Sequence, residues 1–176
     1  LAVSVEEALC SNSAVAPAIE RASHEGELPL SFAQQRLWFL DQFEPGSASY
    51  NLPAAVKLSG VLNVEVLEQT LTEIVRRHES LRTTFVTVEG QPRAIVAVPA
   101  GLVLPITDIS HLGRAERDAE AMRLARNEAQ RPFDLAAGPL LRASLLKLDA
   151  EEHVVLLTMH HIISDGWSME VFIREV

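Results

Sequence analysis

Three features are scarce or missing in this sequence: cysteine, long apolar runs and an excess of basic charge. With one cysteine, Cys10, in 176 residues, the chain cannot form an internal disulfide, and nothing indicates an oxidising compartment. Its apolar runs stay well short of the ~20 residues that a membrane-spanning helix needs. Acidic residues outnumber basic ones, 24 against 15, and the formal net charge of −9 argues against a general nucleic-acid-binding protein. These absences predict a cytoplasmic protein with neither a nucleic acid nor a membrane as its partner.

The composition predicts a soluble globular domain preceded by a linker. Hydrophobic residues make up 48% and charged residues 22%, and 176 residues suffice for one sizeable core. Residues 1–27 are rich in Ser, Ala, Glu and Pro, and their start, LAVSVEEALC, lacks the basic residues of a signal peptide. We therefore expect an interdomain linker over residues 1–27 and a folded domain over residues 28–176.

Helical and extended patterns alternate along this domain. Ser31 with Gln34 fits a capping box, and the apolar residues that follow can share one helical face. Asn63 can cap a strongly periodic helix over residues 64–79. The apolar residues expected on the face of the first helix are Phe32, Leu37, Leu40 and Phe43.

The second half of the domain adds strand-like runs to these helices. A hairpin is expected to turn at Glu89-Gly90, and a charged, solvent-facing helix is expected over residues 113–130. Further strands are predicted over 53–60, 138–148 and 153–159, and a last helix from Trp167. This mixture indicates an α/β or α+β architecture.

The stretch TMHHIISDGWS, residues 158–168, concentrates polar side chains directly after an apolar run. If that run is a strand, His160 and His161 point to opposite faces and cannot easily bind one ion. No cysteine or further histidine lies at metal-ligand spacing, so the pattern disfavours a metal site. The plain alternative to a functional site is a strand end whose polar residues are satisfied.

Three features of this stretch favour a reaction centre over that alternative. Asp165 follows His161 by four residues, Gly166 allows a ligand to approach the backbone, and the helix from Trp167 turns its positive end toward the histidines. A neutral imidazole in such a place can accept a proton. The sequence has no G-x-S-x-G, and Cys10 lies in the linker. We therefore predict direct transfer between two bound substrates, with a histidine that positions or deprotonates the attacking group.

Three ordered blocks resemble the condensation domain of nonribosomal peptide synthetases. SFAQQRLWFL (31–40) looks like the first core motif, RRHESLRTTF (76–85) like the second, and MHHIISDGWS (159–168) like the third, which carries the HHxxxDG signature. YNLP (50–53) and RPFDLAAGPLLR (131–142) also look typical of this family. Because chloramphenicol acetyltransferase shares the histidine motif, the order of the three blocks carries the resemblance.

This resemblance implies a chloramphenicol acetyltransferase-like lobe, in which helices pack on a mixed sheet. In the family, two such lobes enclose a tunnel. Upstream donor and downstream acceptor carrier domains deliver thioesters there on 4'-phosphopantetheine arms, and the chain itself binds no cofactor directly. The acceptor amine attacks the donor thioester, and the wording of the motifs favours an L-configured donor.

The later core motifs are missing, so the resemblance covers the N-terminal lobe only. A C-terminal lobe and an adjacent adenylation domain are expected as partners, and this lobe alone is expected to be inactive.

The same resemblance implies roles for the motif residues. His161 matches the histidine at the reacting centre, and Gly166 matches the glycine beside the substrate path. Asp165 matches an aspartate that organises the loop through an arginine. His160 is implied to be structural, and Ser168 is a supporting residue at the end of the motif.

Other residues leave two interpretations open. Arg82 either anchors the site loop or is an ordinary surface arginine at a strand start. Trp167 either lines the tunnel or packs at the helix start, and packing is favoured. His78, on the apolar face of its helix, is expected in the core. We expect Trp38 and Phe39 to pack as well, and His24, His111 and His153 to be exposed.

Two other functions remain open from the sequence. A coenzyme-A-dependent acyltransferase can share the histidine motif, but the first two blocks disfavour it. A non-catalytic carrier-binding module is disfavoured because this sequence keeps HHxxxDG whole.

Overall fold

The computed structural model describes residues 28–176. The linker predicted over residues 1–27, together with Cys10 and His24, lies outside the described residues. Within the described range, no helix is long and apolar enough to cross a membrane.

Helices and strands alternate as the sequence predicted, with two short additions. The helices are α1 (Phe32–Phe43), α2 (Val64–Arg77), α3 (Arg114–Gln130) and α4 (Gly166–Glu175), and a 3-10 helix covers Glu79–Arg82. The strands are β1 (Asn51–Ser59), β2 (Thr83–Val88), β3 (Gln91–Val96), β4 (Ile106–Asp108), β5 (Leu141–Lys147) and β6 (Glu152–His160). The sequence did not predict β4 or the 3-10 helix.

The main sheet has the strand order β1-β6-β5-β4 and is mixed. β6 pairs antiparallel with β1, from Asn51 opposite His160 to Ser59 opposite Glu152, and antiparallel with β5 on its other side. The short β4 runs parallel to β5. The predicted α/β (α+β) class, a mixed sheet with helices packed on it, is confirmed.

The hairpin β2-β3 forms a separate two-stranded sheet and turns where the sequence predicted. Glu89 and Gly90 have φ values of 50° and 76°, the left-handed pair that a two-residue turn between twisted strands requires. The backbone N–H of Phe85 donates to the carbonyl of Leu135 at 2.8 Å, so the hairpin is fixed to the segment before β5.

The core forms on both faces of β6, which places the end of this strand deep in the molecule. One face packs with α2, whose cap on Asn63 and buried Leu67, Leu71 and Ile74 follow the predicted helical period. On the other face, Leu156 belongs to a smaller cluster against which residues of α3 pack.

Packing predictions for the first helix and for two histidines were wrong. Leu37 and Trp38 of α1 pack on the core, but Phe32, Phe39 and Phe43 are 90%, 61% and 80% exposed. At ~100° per residue, these three phenylalanines share one face of the helix, and Leu37 lies about 140° away from Phe32. The four residues therefore cannot form the single apolar face that was predicted. His153 was expected at the surface but is only 5% exposed, because it lies in β6 between Leu58 and Lys147. His78, expected in the core, is half-buried and contacts Glu175.

Candidate active site

His160 is the last residue of β6 and shapes the turn that follows it. The side chain is 3% exposed and lies near the rings of Tyr50 and Phe133, at centroid distances of 6.4 and 6.1 Å. Its Nδ1 accepts a hydrogen bond from the backbone N–H of Ile162 at 3.1 Å. Burial, with a smaller contribution from His161, lowers the pKa of His160 to about 4. A neutral, buried ring that holds the backbone supports a structural role for His160.

His161 points the other way and is exposed. Its backbone N–H donates to the carbonyl of Tyr50 at 2.8 Å, and its ring Nδ1 lies 2.7 Å from the carbonyl oxygen of Ser164. A carbonyl oxygen only accepts, so Nδ1 must carry the hydrogen, and the lone pair of the neutral ring is on Nε2. His161 is therefore held as a tautomer that can accept a proton from a substrate.

The two histidines do not converge on a common point, because one is buried and the other is exposed. Among residues 28–176, no three His, Cys, Asp or Glu side chains form a group that could hold a metal ion. The chemistry that this loop can supply is proton transfer and hydrogen bonding.

Asp165 caps α4. Its Oδ1 accepts hydrogen bonds from the backbone N–H of Ser168 at 2.8 Å and from the Ser168 hydroxyl at 2.7 Å. These bonds hold the pKa of the Asp165 carboxyl below its ordinary value, with the Ser168 hydroxyl as the largest cause. The carboxylate is exposed and its partner is Ser168, not the arginine that the family resemblance implied. The physical reason is position: a side-chain acceptor just before a helix, with serine three residues later, fits an N-cap.

Gly166 begins α4, and Trp167 follows it at the surface. A Cβ atom placed on Gly166 would meet no heavy atom within 4 Å, so the glycine leaves open space beside the loop. Trp167 is 78% exposed, and the expectation that it packs at the helix start was wrong. The side of α4 that faces the core carries Phe172 and Met169 instead.

Arg82 lies apart from the histidine loop. It donates to the carbonyl of Ala97, pairs with Glu79 at 3.2 Å, and lines a cleft of about 650 Å³ between residues 97–105 and β5. Its side chain is 15% exposed, so it is not an ordinary surface arginine, and its contacts stabilise the start of β2.

Several residues that support the loop were not singled out as site residues. Gln34, of the predicted capping box, also donates from Nε2 to the carbonyl of Ile162 at 3.4 Å, which brings the start of α1 to the loop. Tyr50 and Phe133 flank His160, and Ser164 holds His161. The blocks YNLP and RPFDLAAGPLLR contained two of these residues, but periodicity gave no signal for contacts between distant segments.

Removing the Asp165 cap is expected to cause a modest loss of stability. An N-cap lost to alanine commonly lowers the melting temperature of a domain of this size by about 2–4 °C. Asp165→Asn keeps an acceptor and is expected to melt close to the wild type. Because the pKa of Asp165 is lowered, the contribution of its charge is present at neutral pH and is lost as the pH falls through that pKa. Thermal unfolding of the three proteins checks this. A much larger drop in the melting temperature of Asp165→Ala would show that Asp165 does more than cap α4.

Fold and site together define a lobe of the chloramphenicol acetyltransferase type, which carries two histidines at the end of a central strand. The chain belongs to the condensation domain family, because the model of that family matches residues 24–176. It is 49% identical over 159 residues to one of the linear gramicidin synthase subunits from Brevibacillus parabrevis, covering 90% of this chain. It is 48% identical over 158 residues to malpibaldin synthetase of Mortierella alpina, also over 90% of this chain.

Solved condensation domains share the fold. The first condensation domain of the calcium-dependent antibiotic synthetase, in complex with a substrate analogue, aligns with a TM-score of 0.78 and 26% identity over 87% of this chain. The starter condensation domain of rhizomide synthetase aligns with a TM-score of 0.78 and 27% identity over 85%. This chain spans 38% and 36% of those two structures, and 3% of each of the two curated synthetases.

Proposed function

We propose that this chain is the N-terminal lobe of a nonribosomal peptide synthetase condensation domain, which joins a donor acyl or peptidyl group to an acceptor amine. The observation that carries the proposal is the bond from His161 Nδ1 to the carbonyl of Ser164, because it directs a proton-accepting nitrogen out of the loop. Membership of the condensation family supports the reaction class. The motif wording supports an L-configured donor.

The proposed reaction balances without a metal or a redox partner. The acceptor nitrogen attacks the thioester carbon, a C–N bond forms, and the C–S bond breaks. His161 accepts or orients the proton that the amine loses, and this proton ends on the departing phosphopantetheine thiol. The arm belongs to the carrier domains, so it is substrate here and the chain needs no cofactor of its own.

The proposed setting includes further domains. Residues 1–27 act as an interdomain linker, and residues 28–176 form the lobe whose surface meets a C-terminal lobe. Donor and acceptor carrier domains and an adenylation domain are the expected partners, by analogy with the synthetases to which the chain is similar. We place the chain in the cytoplasm, because its one cysteine gives no indication of an oxidising compartment.

An assay that offers two kinds of acyl donor, one bound to a carrier and one bound to coenzyme A, distinguishes this function from the two alternatives. The complete domain is expected to form a peptide bond from an aminoacyl donor on one carrier and an aminoacyl acceptor on another, and to leave acetyl-coenzyme A with free amines unreacted. Mass spectrometry of the acceptor carrier measures the product. Transfer from acetyl-coenzyme A would favour a soluble acyltransferase, and carrier binding without turnover would favour a recruitment module.

A further inference from the structure

We propose that His78 is a positioning residue for the His161 loop, which it holds indirectly by fixing α4 through a contact with Glu175. His78 belongs to the second sequence block and Glu175 to the last turn of α4, 97 residues apart. The activity consequence rests on the proposed function, whereas the effect on the His161 ring does not.

The contact itself is short and partly shielded. His78 Nε2 lies 2.7 Å from Glu175 Oε2, and Arg77 lies 3.7 Å from the other carboxylate oxygen. The side chains of His78 and Glu175 are 36% and 23% exposed, so water competes only partly for this bond. The bond to His78 is the main reason that the pKa of Glu175 lies below its ordinary value, which keeps the carboxylate charged.

Among the described residues of α4, few side chains pack into the core. Phe172 is the single buried residue of this helix, and Met169 is only partly buried. Between α4 and the segment that follows His78 lies a cleft of about 180 Å³, lined by Leu81 on one side and Ser164 on the other. Because this space is not filled by side chains, the polar contact at Glu175 limits how far the helix can tilt.

A tilt of α4 would reach His161 through two residues. Asp165 is the N-cap of α4, and its carbonyl accepts from the N–H of Met169 at 3.0 Å. Ser164 comes directly before Asp165, and its carbonyl holds His161 Nδ1 at 2.7 Å. Because an α-helix is stiff, a tilt that displaces Glu175 also displaces the first turn of α4, ~15 Å away. We expect that movement to weaken the bond that selects the His161 tautomer.

The chain offers matched variants for this test. His78→Ala removes the contact, and His78→Gln places an amide N–H at about the position of Nε2 and is expected to restore it. His78→Asn is too short to reach Glu175 and replaces the alanine variant if that variant does not fold. Arg76→Ala is the control, because Arg76 pairs with Glu73 on the exposed face of the same helix at 2.6 Å.

The first readout is the ¹⁵N spectrum of the His161 ring in this chain, which needs no substrate. The wild type, His78→Gln and Arg76→Ala are expected to show one neutral tautomer with hydrogen on Nδ1. His78→Ala or His78→Asn is expected to show exchange between both tautomers. An unchanged His161 spectrum in a folded His78→Asn protein overturns the proposal, and so does a failure of glutamine to restore it.

The second readout is the rate of peptide-bond formation by the complete domain. His78→Ala is expected to lower kcat by roughly 10-fold or more, because displacing reacting groups by about an ångström can cost ~10²-fold. The KM for each carrier is expected to stay unchanged, and adding Glu175→Ala to His78→Ala is expected to cause no further loss. A rise in KM with normal kcat would overturn the positioning role. If the wild-type domain forms no peptide bond, the proposed function fails, and the ring spectrum still decides the role of His78.

Discussion

Replacing His161 with alanine in the complete domain is expected to lower the rate of peptide-bond formation by ~10²–10⁴-fold, the usual contribution of a positioned base. The reason lies in the tautomer. With Nδ1 donating to Ser164, the Nε2 lone pair is available at the moment when the attacking amine loses its proton. The measurement is transfer between two loaded carriers, followed by mass spectrometry of the acceptor carrier.

Two further variants sharpen the His161 experiment. His161→Asn places an amide N–H at about the position of Nδ1 and can still donate to the Ser164 carbonyl, but it cannot accept a proton at neutral pH, so it separates loop positioning from base catalysis. His111→Ala changes an exposed histidine at the loop before α3 and is expected to leave the rate unchanged. Near-normal turnover by a folded His161→Ala domain would remove both roles from His161.

The chain of 176 residues is expected to form no detectable peptide bond by itself, even with both loaded carriers supplied. It spans little more than a third of the solved condensation domains, so most of the surface that binds the two arms would come from elsewhere. Misplacing reacting groups by about an ångström costs ~10²-fold, so losing contacts to both arms is expected to lower the rate further. Activity measured with and without the separately produced remainder of the domain checks this expectation.

The outcome of that experiment bears directly on the two-lobe tunnel. Activity that appears only when both parts are mixed supports it, and a His161→Ala version of the first part should abolish the reconstituted activity. Efficient peptide formation by the first part alone would contradict the argument. The exposed phenylalanine face of α1 makes self-association a hazard, so the mass of each sample in solution must be measured alongside.

The elements that the sequence predicted well are those whose signal is local. The helix at Val64–Arg77 carries a period, a cap and buried positions that agree, and the turn at Glu89 needs only two residues of left-handed backbone. β4 was missed because its three residues are all exposed and too few to show an alternation. His153 was misplaced because β6 is buried on both faces, which removes the alternation that marks a surface position.

The histidine loop could be found from the sequence, but its contacts could not. The order His160, His161, Asp165, Gly166 is visible as a motif, but part of the support for this loop comes from distant segments. The backbone carbonyl of Tyr50 accepts a hydrogen bond from the backbone N–H of His161, although more than a hundred residues separate the two along the chain. The partner of Asp165 is Ser168, only three residues away. This N-cap was not predicted because the family resemblance implied an arginine as the partner.

The place of β6 in the main sheet also sets the order in which the domain can be completed during synthesis. β1 ends at Ser59, but the strand that pairs with it begins at Glu152, so β1 leaves the ribosome long before its partner does. At ~5–20 residues per second, this wait lasts about 5–20 seconds. During that time the edge of β1 is open to other chains and to chaperones. Because β6 is the last of the described strands to emerge and ends at His160, directly before His161, the candidate site is assembled in the final step of the described sheet.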